Sequence, residues 1–444
     1  MPSPTATGAV PDTASPRPDP GPAPIPTTAP APDSTTARKR PPVLAPLPPA
    51  LAAGYYTEPH VAEVEQRLLF ERTWQLVGHE SDLPEPGSRF AAPVAGREVL
   101  VVRKEDGDLA AHLNVCRHRG ARLLEEADPK AGQAIRCPYH GWTYHLDGAL
   151  VGAPEGRQIP CLDKARLGLH SVRVESFLGF IFVNLDPAAT PLAESCAPLV
   201  EAVGRYCGPD LTPVGKARIH HKTGVERQPA NWKVVVDNYL EGYHVPVAHP
   251  GLMRLFDYQK YITTETSEAY AVFEVPIREK PSSNWAERLY QRLASPMRGL
   301  RETDRRIWRY VAIYPNTLLD CYPDHVLAWS VLPDGVEHAT LPGAYYTKPG
   351  AGLRTKLARK LNIHIGWITN DEDAVLVARV QQGLSTPGYK PGPLSHRESA
   401  VAWFHERIRK DLSVAPAVAA LNAGGDALGN TGTGVADAAD GTRP

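Results

Sequence analysis

Cys116-x-His118 and Cys137-x-x-His140 place two thiolates and two imidazoles on either side of an eighteen-residue spacer, residues 119–136. Each pair follows a short β-type run, so two loops present them. Structural zinc sites usually draw two cysteines from one clamp and two histidines from another. Here each clamp holds one of each. A two-iron, two-sulfide cluster with thiolates on one iron and imidazoles on the other suits that interleaving, because each loop can then reach both irons. Such a cluster moves electrons, and a second set of residues offers them a destination. In "NWKVVVDNYLEGYHVPVAHP", residues 231–250, Glu241 and His244 are three apart and are expected on one helical face. His249 lies off that face, and Pro246 is expected to break the helix so that both imidazoles turn to one point. Two histidines and a carboxylate on one side of Fe(II) form a facial triad with open positions. "WITNDEDAVLVARVQQGL", residues 367–384, offers Asp371, Glu372 and Asp373 for the carboxylate. Thr369-x-x-Glu372 reads as a capping box that opens a helix and gives Glu372 a structural role. Asp373 lies above Leu376, Val377, Val380 and Leu384 at helical spacing, and a carboxylate on a buried face needs a partner such as a metal. Asp373 is therefore the expected third ligand.

The bulk composition bounds the rest. The chain has 444 residues, 42% of them hydrophobic, enough for a full core in two or three domains. With 48 Lys and Arg against 49 Asp and Glu, the net charge of -1 gives no electrostatic footprint for a nucleic-acid partner. No apolar run approaches the roughly 18 residues of a membrane span, and no signal-peptide pattern opens the sequence. Six cysteines in such a chain point to metal binding in a reduced, cytoplasmic protein rather than to disulfides.

The elements that must position these ligands can be sketched. Residues 1–50 are rich in Pro, Ala, Thr and Ser and read as a disordered tail, as do the Ala/Gly-rich residues 413–444. Residues 51–75 hold a helix, with Thr57 as a candidate N-cap and Pro59 in its first turn. From 76 to 190, short β-branched runs punctuated by turns indicate a small antiparallel β domain. Residues 191–412 mix helical and strand patterns and end in a helix from Glu398 to about Leu412. The fold class is thus α+β: a small antiparallel β domain inserted ahead of an α+β domain with a helix-flanked antiparallel sheet.

The string "CRHRGARL…CPYHGWTYHLDG" resembles the [2Fe–2S] domain of Rieske oxygenases, and "NWK…DNYLEGYH…HP" with "ED…VQQGL" resembles the catalytic domain of their α subunits. The resemblance covers about Tyr55 to Leu412. It implies that Cys116, His118, Cys137 and His140 bind the cluster, and that His244, His249 and Asp373 bind a mononuclear iron. Glu241 matches a carboxylate that bridges to a cluster histidine, His140 of the partner subunit, in a ring-shaped homotrimer. The implied reaction spends O2 and NAD(P)H electrons delivered by a separate flavin-dependent reductase, with or without a ferredoxin, since no G-x-G-x-x-G follows a strand. Glu at 241, where many ring dioxygenases have Asp, resembles the branch of quaternary-ammonium monooxygenases, which hydroxylate or oxidatively demethylate small organic substrates. Trp308, Tyr310, Tyr314, Tyr322 and Trp329 could form an aromatic cage for a cation. Aromatic ring dioxygenation is the alternative. Two readings of other classes are a Rieske electron carrier, which leaves His244, His249 and Asp373 unexplained, and a colourless zinc-stabilised binding module.

Because residues 1 to about 45 lack the apolar content to pack, their deletion is expected to leave soluble protein, colour and activity unchanged. Assays on the truncated chain check this, and a large loss of any of the three would show that the tail is tied down.

Overall fold

Alternation along the strands explains how this sequence builds two joined β layers. The computed structural model describes residues 45–125, 127–128, 132–160, 162–216, 227–415 and 418. The expected tails lie outside it except at their inner ends, and so does part of the 119–136 spacer. At those inner ends the Arg409 guanidinium donates to the carbonyls of Pro49 and Ala50, and Ala415 and Val418 are buried. The packed chain therefore extends slightly past both expected tail boundaries.

The first β layer comprises β1 (Gln75–His79), β2 (Arg89–Val94), β3 (Arg97–Arg103), β4 (Leu109–Leu113), β5 (Ala134–Arg136), β6 (Thr143–His145), β7 (Leu150–Gly152), β8 (Ser171–Phe177) and β9 (Phe180–Asn184). Six of these form an antiparallel sheet in the order β1-β9-β8-β4-β3-β2, and β5-β6-β7 form a second. Strand β3 is buried on both faces. Leu100 and Val102 pack with Cys116, Ile135, Cys137 and Tyr144, while Val99 and Val101 pack with Phe90, Val94 and Ile181. Period-two alternation within an apolar run thus serves two cores at once.

Strand β9 does the same between domains. Ile181 and Val183 face the β-domain core, and Phe180 and Phe182 face a core shared with a larger sheet. That sheet comprises β10 (Thr212–Lys216), β11 (Ile262–Thr266), β12 (Tyr270–Pro276), β13 (Ile307–Ile313), β14 (Thr317–Cys321), β15 (Val326–Ser330) and β16 (Gly343–Thr347), in the order β10-β16-β15-β14-β13-β12-β11. One of its faces, carrying Val272, Val311, Leu319 and Val326, meets β9. The other face carries Phe273, Trp308, Leu318 and Trp329 and is covered by helices.

Those helices are α1 (Pro59–Glu65), α2 (Trp232–Tyr239), α3 (Val245–Ala248), α4 (Pro250–Leu255), α5 (Trp285–Leu293), α6 (Leu353–Leu384) and α7 (Ser399–Leu412). Pro59 takes the first turn of α1 as expected, but its N-cap is Glu58. Thr57 instead ends the preceding turn, its hydroxyl donating to the Ala53 carbonyl. Helix α6 is unbroken for 32 residues. Thr369 lies inside it and donates to the Ile365 carbonyl, so it opens no helix and caps nothing. Among the described residues no helix is long and apolar enough to cross a membrane.

A buried ion pair fastens α1 to α2. Lys233 Nζ lies 2.6 Å from Glu65 Oε1, and the Trp232 indole donates to Glu65 Oε2 at 2.9 Å. Both charged side chains are excluded from water. Burial drives the Lys233 ammonium below its ordinary pKa, with Glu65 opposing. Removing one partner strands the other charge. Lys233→Ala is expected to destabilise the fold by about 3–5 kcal/mol, whereas the double replacement Lys233→Met with Glu65→Leu should recover most of that loss. Chemical denaturation of the three variants checks both outcomes.

Candidate metal centres and cavity

The two Cys/His loops are built alike. In the first, which follows β4, the Cys116 N–H donates to the Ala121 carbonyl and the Gly120 N–H returns to the Cys116 carbonyl. In the second, between β5 and β6, Cys137 N–H donates to Trp142 and Gly141 N–H returns to Cys137. Each turn closes on a glycine at positive φ, 74° at Gly120 and 68° at Gly141, which explains the glycine four residues after each cysteine. Cys116 and Cys137 are buried, while His118 is exposed and His140 half-buried. The two Nδ1 atoms approach to 3.2 Å. Two ligands with bonds of about 2.1 Å on a tetrahedral ion would stand roughly 3.4 Å apart.

Among the described residues, the four donors of these loops do not form a group that converges on a single ion, as a zinc site would require. Two thiols inside and two imidazoles outside suit a two-iron cluster. Burial raises the Cys116 thiol pKa, against a hydrogen bond from Tyr144 that favours the thiolate. The Tyr144 hydroxyl accepts from the Arg117 N–H and lies 3.3 Å from Cys116 Sγ, to which it can donate when the sulfur is a thiolate. The His118 ring stacks on Trp142 at 4.9 Å.

The second centre brings together His244, His249 and Asp373, whose ligand atoms all lie within 4.8 Å of one another. His244 Nε2 is 3.1 Å from His249 Nε2 and 3.6 Å from Asp373 Oδ1, and His249 Nε2 is 3.0 Å from the same oxygen. Cis ligands on a six-coordinate ion with bonds near 2.1 Å stand about 3.0 Å apart, so the donor set fits. Asp371 is absent from this group.

The route to this arrangement differs from the helical-face expectation. Helix α2 ends at Tyr239, before Glu241. Glu241 instead closes a turn: its Oε2 accepts the backbone N–H groups of Tyr243 and His244, and its Oε1 meets His244 Nδ1. Pro246 does not break a helix either. It sits in the first turn of α3, which His244 precedes, and His249 follows that helix and precedes α4.

Each of the three side chains also has a second partner: the two imidazoles at their other ring nitrogen, Asp373 at the same oxygen. Glu241 engages His244, Glu372 Oε2 lies 2.7 Å from His249 Nδ1, and Asn238 Nδ2 donates to Asp373 Oδ1 at 3.1 Å. Burial opposes protonation of His249, but Asp373 and Glu372 together raise its pKa. Glu372 is thus an orienting group for His249, not a helix cap. The stripe beneath Asp373 is Val377, Gln381 and Leu384; Val380 is exposed.

Above the triad lies a cavity of about 130 Å³. One sheet face supplies Phe273, Trp308, Tyr310, Asp320 and Trp329, and α6 supplies Gly366, Thr369, Asn370 and Asp373. Of the five expected cage aromatics, Trp308, Tyr310, Tyr322 and Trp329 line it. Tyr314 does not. It packs against Trp403 and Phe404, under the Arg407 guanidinium. Sequence reasoning missed Asp320, Asn238 and Tyr144. The signal for Asp320 was a lone acid inside the apolar run "TLLDCY", and for Asn238 its place one turn before Glu241.

Residues 73–163 match the Rieske [2Fe-2S] domain, and residues 210–413 match the catalytic domain of the ring-hydroxylating α subunit. The chain is 36% identical over 346 residues to the carnitine monooxygenase oxygenase subunit of Escherichia coli (strain K12), covering 77% of this chain and 85% of that one. It belongs to the Rieske non-haem iron oxygenases. To the corresponding subunit of Acinetobacter baumannii it is 37% identical over 207 residues, which span 47% of this chain and about half, 54%, of that relative. A solved quaternary ammonium Rieske monooxygenase superposes with a TM-score of 0.68 at 28% identity, covering 82% of this chain and 95% of the other. The two matched domains of this Rieske oxygenase imply a [2Fe–2S] cluster and a mononuclear iron.

Glu372→Ala is expected to weaken iron binding by about 10–100-fold, read as metal content after dialysis, with the visible spectrum unchanged. Undiminished iron retention would reduce Glu372 to a helix-surface carboxylate.

Proposed function

We propose that this chain is the terminal oxygenase component of a monooxygenase that hydroxylates or oxidatively demethylates a small quaternary ammonium or N-methyl compound. The observation that carries this reading is the lining of the cavity. Its walls are aromatic, its charged side chains are the carboxylates of Glu241, Asp320 and Asp373 with the imidazoles of His244 and His249, and no Lys or Arg lines it among the described residues. Aromatic faces and uncompensated carboxylate favour a cation and disfavour an anion. The names of the relatives, carnitine monooxygenase oxygenase subunits, lend support.

In this reading Cys116, His118, Cys137 and His140 hold the cluster, and His244, His249 and Asp373 hold the iron. When bound, the cluster supplies stored electrons and the iron supplies the place where O2 is reduced. The protein's own groups do the rest. Glu241, Glu372 and Asn238 fix the orientation of the three ligands. The aromatic walls exclude water and seat the substrate beside the triad. A separate flavin-dependent reductase, with or without a ferredoxin, supplies NAD(P)H electrons, and the chain works as a homotrimer in the cytoplasm. Glu241 links the two centres as a positioning residue by hydrogen-bonding His140 of the partner subunit.

Single turnover tests this. Reduced wild-type protein given O2 and a trimethylammonium substrate should reoxidise its cluster and release a hydroxylated or demethylated product. Turnover of aromatic hydrocarbons with no turnover of any trimethylammonium compound would overturn the substrate assignment. Glu241→Ala, once loaded with both metals, should hold the cluster reduced; near-normal reoxidation and yield in the fully metallated variant would remove the linking role and leave the oxygenase assignment standing.

A further inference from the structure

We infer that Asp320 is the counter-charge by which the cavity selects cationic substrates. This rests on the quaternary-ammonium reading above and names the residue that enforces it. Asp320 lies in β14 on the sheet face that lines the cavity and is 6% exposed. Its Oδ1 accepts from the Tyr239 hydroxyl at 2.8 Å and the Trp329 indole at 3.3 Å, and its Oδ2 accepts from the Tyr322 hydroxyl at 3.2 Å. Every one of these donors is neutral. Burial raises the carboxyl pKa to about 6, with the three donors pulling the other way. Among the described residues the His325 imidazole is the one cationisable group that opposes the rise, and its Nδ1 lies 3.3 Å from Asp324 Oδ2 without a hydrogen bond to it.

A carboxylate is a poor choice if the only task is to anchor those three rings. An amide oxygen would accept from the Tyr239 hydroxyl and the Trp329 indole, and its NH2 would donate to the Tyr322 hydroxyl oxygen, without the cost of burying a charge. Asp373 belongs to the triad and Glu241 is occupied by His244 and two backbone N–H groups. Asp320 is thus the cavity carboxylate left over after the ligand set is accounted for. Three of the rings around it, Tyr239, Tyr322 and Trp329, donate to the carboxylate and line the cavity beside it, so a trimethylammonium group there would meet aromatic surface and the counter-charge together.

The test compares choline with its neutral carbon isostere, 3,3-dimethyl-1-butanol, by calorimetric binding to the purified, metal-loaded protein without O2. Wild type should bind choline at least tenfold tighter than the isostere. Asp320→Asn should weaken choline at least tenfold and change the isostere by less than about twofold, while Asp320→Glu should keep the preference for the cation. Visible absorption and circular dichroism verify that each variant is folded. Equal loss of both ligands in Asp320→Asn, or loss of the cation preference in folded Asp320→Glu, would overturn the inference and leave Asp320 as a ring anchor. A wild type that shows no preference for choline would instead overturn the quaternary-ammonium reading itself.

Discussion

The Asp373 carboxylate meeting two imidazoles at 3.0 and 3.6 Å is the constraint around which the larger domain is organised. Its partners come from a segment 124 residues away and have no regular element in common with it. Three donor atoms so close together need further partners to hold them, and Glu241, Glu372 and Asn238 supply these from a turn, a helix and a second helix. The unbroken α6 follows from the same demand. A ligand in mid-helix has its backbone held by bonds on both sides, so its position is set by the rod and not by a loop. Along that rod the row facing the cavity turns polar, from Ile365 through Thr369 to Asp373 and back to Val377.

The small domain solves a different problem with repetition. One loop design is used twice, and only the offset of the histidine from the cysteine differs, two residues in the first loop and three in the second. Both thiols then point inward to a shared apolar core, and both imidazoles reach the edge. This polarity places the soft, easily oxidised thiols away from water and the imidazoles nearer the surface.

Much of this was legible in the residues. Which residues could be donors can be read without a structure because metal chemistry restricts residue type and loop geometry restricts spacing, as with Gly120 and Gly141. The alternating strands announced a β domain for the same reason: a period of two is local. What was not legible depended on long-range packing. Pro246 reads as a helix breaker until the chain shows that α2 has already ended, so the proline is free to begin α3. Thr369 and Glu372 form a plausible cap by spacing, yet α6 begins 16 residues earlier, at Leu353, and tertiary contacts with α2 and α5 override the local signal. Tyr314 and Tyr310 sit on one strand run, and only the sheet's course decides that the first faces α7 and the second the cavity.

The bond between Lys233 and Glu65 spans 168 residues, and the whole small domain lies between its ends. On the ribosome, at roughly 5–20 residues per second, Glu65 therefore waits on the order of ten to thirty seconds for its partner to emerge. During that interval the intervening strands can pair among themselves, since their registers close within residues 75–184. Helix α1 docks only after Lys233 appears, and the triad is complete only when Asp373 follows, near the end of synthesis. The order of translation thus makes the small domain the first body to mature and the larger one, which encloses it in sequence at both ends, the last.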